Sequence, residues 1–223
     1  MFDIDGTLLK CFGAGKKSLI QACEEVFGTS GTMNSVDFQG KTDPLILLES
    51  LESMGFSEDH IERNIEALKA RYFHHLRINM YDGTSVLLPG VGELLQKLSR
   101  VKTILLGLLT GNFRESAAIK LGRFDLNRYF AFGVYGDDAA FRNHMPAIAR
   151  KILHDEFGID VPFRNIIIVG DTLYDIDCAK SAGAVSISVG TGWIEKEKLL
   201  SHAPDYYFDD LGDTDRILEA ILG

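Results

Sequence analysis

The chain has 223 residues, 46% of them hydrophobic and 25% charged, which is the composition of a globular protein and excludes collagen, coiled coil and intrinsic disorder. At roughly 100–200 residues per domain it is one domain, or one domain carrying an insert, and long enough to bury a sizeable core. Its 23 basic and 32 acidic residues give a net charge of −9, so nucleic acid is not expected as a partner; an anionic ligand needs a local exception such as a metal ion, helix N-termini or one placed base.

The chain opens on Asp3-Ile4-Asp5-Gly6-Thr7. Two residues apart on an extended segment, Asp3 and Asp5 face the same way, and Gly6 permits a sharp turn just after. One such carboxylate can attack an electrophile while the other handles a proton. Acidic residues at this position also fail the basic start of a signal peptide. Gly13-Ala14-Gly15-Lys16-Lys17-Ser18 has the look of a P-loop but fails its spacing, with Lys10 and Lys17 where Gly and Ser or Thr belong. It reads as a hinge into the next segment.

Residues 11–83 contain no convincing strand. Leu19, Cys23, Val26 and Phe27 space a helix over Ser18–Phe27, which Gly28 ends. Asp43-Pro44 reads as an N-cap followed by proline at the first helical position, with a helix running to Met54 and stopped by Gly55. Ile61, Ile65, Leu68, Tyr72 and Leu76 share one face of a third helix, on which His74 and His75 read as a solvated pair. The chain returns near Asp82–Pro89.

Strand-like and helix-like segments then alternate. Val91, Leu94, Leu95 and Leu98 mark a helix. Val101–Leu109 is an apolar run ending in Thr110-Gly111-Asn112, a hydroxyl and free N–H groups that can hold a phosphate. Ala131–Tyr135, Asn165–Val169 and Val185–Val189 read as further strands, and Pro146–Phe157, Leu173–Ala182 and Asp213–Leu222 as helices. Runs buried on both faces suit a parallel sheet. The expected fold is therefore α/β, a doubly wound, Rossmann-like parallel sheet with ligands outside the carboxyl ends of its strands. Asn165–Val169 ends in Gly170-Asp171-Thr172-Leu173-Tyr174-Asp175; with Asp3, the carboxylates of Asp171 and Asp175 make an acidic cluster that repels itself unless a cation is present, and all-oxygen ligands favour Mg²⁺. The alternative reading of Asp171 is a helix N-cap. Gly190-Thr191-Gly192 lacks the third glycine of a dinucleotide fingerprint.

DIDGT, LLTGN and GDTLYD, in that order, resemble the first, second and fourth motifs of the haloacid dehalogenase superfamily, in the subgroup of phosphohydrolases with a helical cap after the first strand. The resemblance covers nearly the whole chain. It implies a catalytic core of residues 1–10 and 84–223, a helical cap of residues 11–83, and an activity like that of phosphoglycolate phosphatases and other sugar-phosphate phosphatases. Asp3 would be the nucleophile and Asp5 the proton-handling group. Mg²⁺ would be held by Asp3, the Asp5 carbonyl and Asp171, with Asp175 as ligand or just behind. Thr110, Gly111 and Asn112 would bind the phosphoryl group. The superfamily's third motif carries a lysine; here Arg142, before Asn143, takes that place, with His144 as outside candidate. In the cap, Lys41 of the Phe38–Asp43 loop is the candidate reader of the substrate. The expected partner is a small phosphorylated metabolite, met by a monomer or homodimer. The alternatives are a β-phosphoglucomutase-like phosphotransferase and a non-catalytic binding protein of the same fold.

Three widely spaced cysteines, Cys11, Cys23 and Cys178, suggest neither a disulfide framework nor a zinc site, and imply a reducing, cytoplasmic compartment; Cys178 is expected in the core. No stretch is long and apolar enough to span a membrane. Relatives carry several apolar residues before the first aspartate of DIDGT, whereas here only Met1 and Phe2 do, and often an acidic residue soon after it, where this chain has Lys10 and Cys11. The short first strand is expected to reflect a natural start further upstream.

Overall fold

The computed structural model describes residues 1–36 and 38–223, and of Asp82 the backbone only. In chain order it contains β1 (Leu9–Lys10), α1 (Ala14–Phe27), α2 (Asp43–Glu52), α3 (Glu58–Asp82), β2 (Val86–Leu87), α4 (Val91–Leu98), β3 (Gly107–Leu109), α5 (Arg114–Gly122), β4 (Phe132–Val134), α6 (Met145–Phe157), β5 (Ile167–Gly170), α7 (Leu173–Ala182), β6 (Val185–Val189), α8 (Lys196–Ser201), β7 (Tyr206–Phe208) and α9 (Thr214–Leu222).

The segment Met1–Asp3 stitches two half-sheets into one. Phe2 bridges in parallel to Leu108 on one side and Val169 on the other. Its N–H donates to the Gly107 carbonyl and its carbonyl accepts from Leu109, while Asp3 donates to Val169, each at 2.9 Å. Pairing of β3 with β4, and of β5 with β6 and β6 with β7, is parallel throughout. The order across the sheet is thus β4, β3, Met1–Asp3, β5, β6, β7, and the chain reverses its direction of travel at the central segment. Such a reversal opens a crevice at the carboxyl ends of the strands, where ligands bind.

Two apolar clusters sandwich the sheet. One gathers Phe2, Ile4, Leu108 and Val169 with side chains of α1, α3, α4 and α5. The other sets Leu109, Val134 and Ile168 against Met145, Ala149 and Leu153 of α6 and Cys178 and Ala179 of α7. On the far side of the site α1 and α3 pack on each other, and the antiparallel pair β1–β2 brackets the chain's excursion through α1, α2 and α3.

The helices follow their end signals. Gly28 closes α1 in a left-handed conformation, its N–H on the Glu24 carbonyl. Four expectations are corrected. β3 is three residues, not the run Val101–Leu109, because only Gly107–Leu109 have strand neighbours on both sides, and residues 101–104 form a turn in which Ile104 bonds Val101. β5 begins at Ile167, since residues 163–165 make a 3-10 turn that bonds Ile166 to Phe163. Thr42, not Asp43, caps α2 by accepting from Leu45, and the alternative reading of Asp171 also falls away, since Thr172 is the N-cap residue of α7. In each pair the neighbouring aspartate is claimed by a tertiary partner. The P-loop-like stretch is no hinge either, because Ala14–Ser18 already form the first turn of α1.

Candidate active site

The site lies at the carboxyl end of the central segment. Asp3 is 5% exposed, Asp171 1% and Asp175 2%. Ligand oxygens of the three lie within 4.8 Å of one another. Backbone held on both sides fixes Asp3, and β5 delivers Asp171 one residue past its end. The chain leaves the strand at Gly6, whose φ is +86°; a Cβ there would sit 2.3 Å from an Asp171 carboxylate oxygen, and one on Gly192 would sit 2.0 Å away. Only glycine lets these two loops close on the carboxylate. Thr7 donates to Asp171 Oδ1 at 2.8 Å.

Arg142 enters from the start of α6. Its Nη2 lies 2.5 Å from Asp175 Oδ1 and 3.2 Å from Asp3 Oδ1, and also donates to the Leu109 carbonyl at 3.1 Å. Its Nε has no hydrogen-bond partner among the described residues. Asp175 uses its other oxygen, Oδ2, to accept from the Thr172 N–H and hydroxyl, at 3.0 and 2.7 Å. Both Asp175 oxygens are therefore engaged, whereas Asp171 faces no guanidinium directly.

The charges do not balance. Three carboxylates against one guanidinium leave a formal charge of two negative in a buried cluster. Burial pushes the Asp3 carboxyl up to about 6, against the pull of Arg142. Burial, then the charges of Asp3 and Asp175, push Asp171 well above the usual carboxylate range. Burial works against the Arg142 charge, but Asp175 and Asp3 more than reverse that, so it stays ionised. A buried, all-oxygen, under-neutralised set of this kind fits a hard divalent cation.

The second motif sits across the crevice. Thr110 is fully buried, and its hydroxyl accepts from the Asn112 side chain at 2.7 Å. Asn112 Nδ2 also donates to Asp5 Oδ2 at 2.9 Å. Gly111 has a second duty: its carbonyl accepts from the Asp43 N–H at 2.8 Å, and a Cβ on it would meet the Lys41 carbonyl at 2.2 Å. The loop of residues 38–43 therefore rests directly on this strand end. Lys41 lines the same cavity but pairs with Glu49 at 2.5 Å. Asp43 turns inward, accepting from the Phe113 N–H at 2.9 Å and the Ser116 hydroxyl at 3.3 Å; burial pushes its carboxyl up to about 6. His144 is exposed, and no contact ties it to the cluster among the described residues.

All of the expected residues line one cavity of about 170 Å³ except Asp175, which backs Arg142 from beneath. The cavity also holds residues that sequence reasoning missed. Lys120 of α5, 4% exposed, reaches Asp5 Oδ2 at 2.6 Å. Phe12, Phe38 and Trp193 supply aromatic walls, and Lys16 lies 4.9 Å over the Phe38 ring. Lys120 did leave a signal: it shares the buried stripe of α5 with Ser116, Ala117 and Leu121, an unusual place for a lysine.

Comparison with known proteins agrees with this geometry. Residues 1–189 match the family described as haloacid dehalogenase-like hydrolase. The chain is 27% identical over 222 residues to PpaX of Caldanaerobacter subterraneus subsp. tengcongensis, whose name is that of a proposed pyrophosphatase, covering 98% of this chain and 93% of that one. It is 35% identical over 151 residues to the phosphoglycolate phosphatase of Agrobacterium fabrum, covering 67% of this chain and 61% of that one. In fold it is similar to the crystal structure of a predicted phosphoglycolate phosphatase from Haemophilus somnus, with a TM-score of 0.71 at 23% identity, over 97% and 96% of the two chains. No helix among the described residues is long and apolar enough to cross a membrane. The chain belongs to the haloacid dehalogenase-like hydrolases and is an enzyme of that family.

Proposed function

We propose that this hydrolase is a phosphatase of small phosphorylated metabolites, phosphoglycolate-like or sugar-phosphate-like, working through an aspartyl-phosphate. The observation that carries the reading is the pairing of two unlike carboxylates at the mouth of one crevice. Asp3 is buried against Arg142, while the Asp5 side chain is 35% exposed to the cavity.

An Asp3 oxygen attacks phosphorus, the bond from phosphorus to the leaving oxygen breaks, and Asp5 gives that oxygen its proton. Water then attacks the phosphorus of the aspartyl-phosphate, passes a proton to Asp5, and the bond to Asp3 breaks to release phosphate and restore both carboxyl groups. Arg142 holds Asp3 in place, and with Thr110 and the N–H groups of Gly111 and Asn112 it offers donors to the phosphoryl oxygens. Asp3, the Asp5 carbonyl and Asp171 would hold Mg²⁺, with Asp175 steadying Arg142. When bound, Mg²⁺ supplies the positive charge that offsets repulsion between carboxylate and phosphate. Residues 11–83 act as a cap that shields the reaction from water and admits small substrates, with Lys41 facing the substrate. Three buried free thiols suit a reducing cytoplasm.

The test is a panel of phosphorylated metabolites assayed with Mg²⁺ and with chelator, beside Asp3→Asn. Metal-dependent phosphate release that vanishes in the variant supports the reading. Release unaffected by the substitution overturns it.

A further inference from the structure

We infer that Lys120 is a positioning residue that sets the side-chain direction of Asp5 in the chemical step. This rests on the reading of Asp5 as the proton-handling group.

Asp5 stands at a bend. It lies two residues past the paired stretch Met1–Asp3, bridges to Leu9 and precedes Gly6 at a φ of +86°, a backbone that places its Cα but leaves the side-chain torsions to be set by contacts. Two donors aim it instead, and both fall on the same oxygen: Lys120 Nζ lies 2.6 Å and Asn112 Nδ2 2.9 Å from Oδ2. The triangle closes because Lys120 also donates to Asn112 Oδ1 at 2.5 Å. Neither of these two bonds uses Oδ1. Asn112 is held in turn by Thr110 at 2.7 Å. The orientation of Asp5 is thereby tied to the strand end that receives the phosphoryl group.

The anchor is stiff. Lys120 springs from α5 and is covered from the helical layer, where a Cβ on Gly15 of α1 would lie 3.4 Å from Nζ and the Tyr72 hydroxyl of α3 is a neighbour. Burying an ammonium is unfavourable without strong partners. Here the partners are the two side chains that face each other across the crevice, which is a poor place for a group serving stability alone.

A positioning role and a structural one differ in a measurable way. Protonating the leaving oxygen matters little for a leaving group that departs readily as an anion, and greatly for one that does not. The kcat/KM values of Lys120→Met, Asp5→Asn and the parent are therefore compared on 4-nitrophenyl phosphate and on phenyl phosphate, which have similar size. For Lys120→Met the loss on phenyl phosphate should exceed the loss on 4-nitrophenyl phosphate by at least about tenfold, with Asp5→Asn showing the same bias. Equal losses on the two esters in Lys120→Met, with the bias intact in Asp5→Asn, would make Lys120 merely structural and overturn the inference alone. Equal losses in Asp5→Asn would remove the reading of Asp5 and the inference with it. Asn112→Ala breaks the same triangle without touching the lysine; it should share the bias, and it serves as the test should Lys120→Met not fold.

Discussion

The two ends of the central segment are built on opposite principles. At its carboxyl end the charged side chains are held by named partners, Thr7 on Asp171, Arg142 on Asp3 and Asp175, Lys120 on Asp5, and negative charge is in excess. At its amino end most of the lining side chains are apolar, and the matching there is of volume. There a cavity of about 330 Å³ lies between the half-sheets, lined by Leu98, Leu106, Phe132, Leu153 and Ile221. Met1 stands at its head, donating its amine to the Ile167 carbonyl at 2.6 Å. Burial pushes that amine down to about 5. The polar end keeps an excess of negative charge buried, whereas the apolar end leaves room unfilled. The same short stretch thus anchors chemistry on one side and borders a cavity on the other.

The sharpest way to separate the ends is to change charge without changing shape. Asp3→Asn should lower turnover by at least about a thousandfold, because an amide cannot form the aspartyl-phosphate. The melting temperature should hold or rise, since a buried repulsive charge is removed. A large fall in melting temperature would mean that the cluster is part of the fold's support rather than a strained site. Arg142→Met does the reverse: it strands two buried carboxylates, and should cost about 3–5 kcal/mol in urea unfolding. A loss below about 1 kcal/mol would show that the cluster is well neutralised without the guanidinium.

Charge and period in the sequence were enough to find the polar end. Asp3, Asp171 and Asp175 stand beside turn residues at the ends of apolar runs, and strand ends of a parallel sheet converge. Arg142 came from the resemblance, as the cation standing where the third motif has its lysine, and it lies 3.2 Å from Asp3 Oδ1. Three things were hidden, each because tertiary contact decided it. Lys120 lies 115 residues from the aspartate it holds and reads locally as an ordinary helix lysine. Thr42 and Asp43 are both good capping residues, and only the Phe113 N–H and Ser116 hydroxyl waiting across the crevice decide which one caps. The apolar run Val101–Leu109 promised a long strand, but a strand needs neighbours, and beside residues 101–106 there is no central segment to pair with. The two-residue strands β1 and β2 carry too little pattern to be seen at all.

The apolar end is tested by filling it. Two or three apolar β-branched residues added ahead of Met1 would run into the cavity between β3 and β5. Alternation along these strands places the N–H groups of Gly107 and Ile167 on the edges that face it, because their carbonyls already accept from Phe2 and Met1. The extended chain should gain about 1–3 kcal/mol of unfolding free energy, the burial of one or two side chains. It should also change the pH profile. An amine that titrates near 8 when unfolded and about 5 when folded adds stability as pH rises from 5 to 8 and loses it as pH falls back through 5. Moving the amine out of the sheet should flatten that slope. Unchanged stability would show that the cavity does not have the shape of a strand.

The polar end has a matching but opposite slope, and it gives the smallest effect. Asp43 is a buried carboxyl whose folded value is pushed up, by burial first, from 3.8 to about 6. A carboxyl raised on folding favours the folded state while protonated, so its contribution is present below about 4 and is lost as pH rises through 6. Asp43→Asn keeps an oxygen for the Phe113 N–H and removes the ionisation. At pH 7 the variant should fall within about 1 kcal/mol of the parent, because a lost charge-assisted bond and a lost desolvation penalty offset each other. Its unfolding free energy should be flatter than the parent's between pH 4 and 6 and parallel to it between 6 and 8, where the parent's Asp43 is ionised folded or unfolded. Parallel curves across the lower window would mean that Asp43 is ionised throughout, held by Lys120 and the α5 amides more strongly than burial opposes it. The two ends of the segment would then be alike in keeping their charges matched, and the contrast between them would reduce to volume alone.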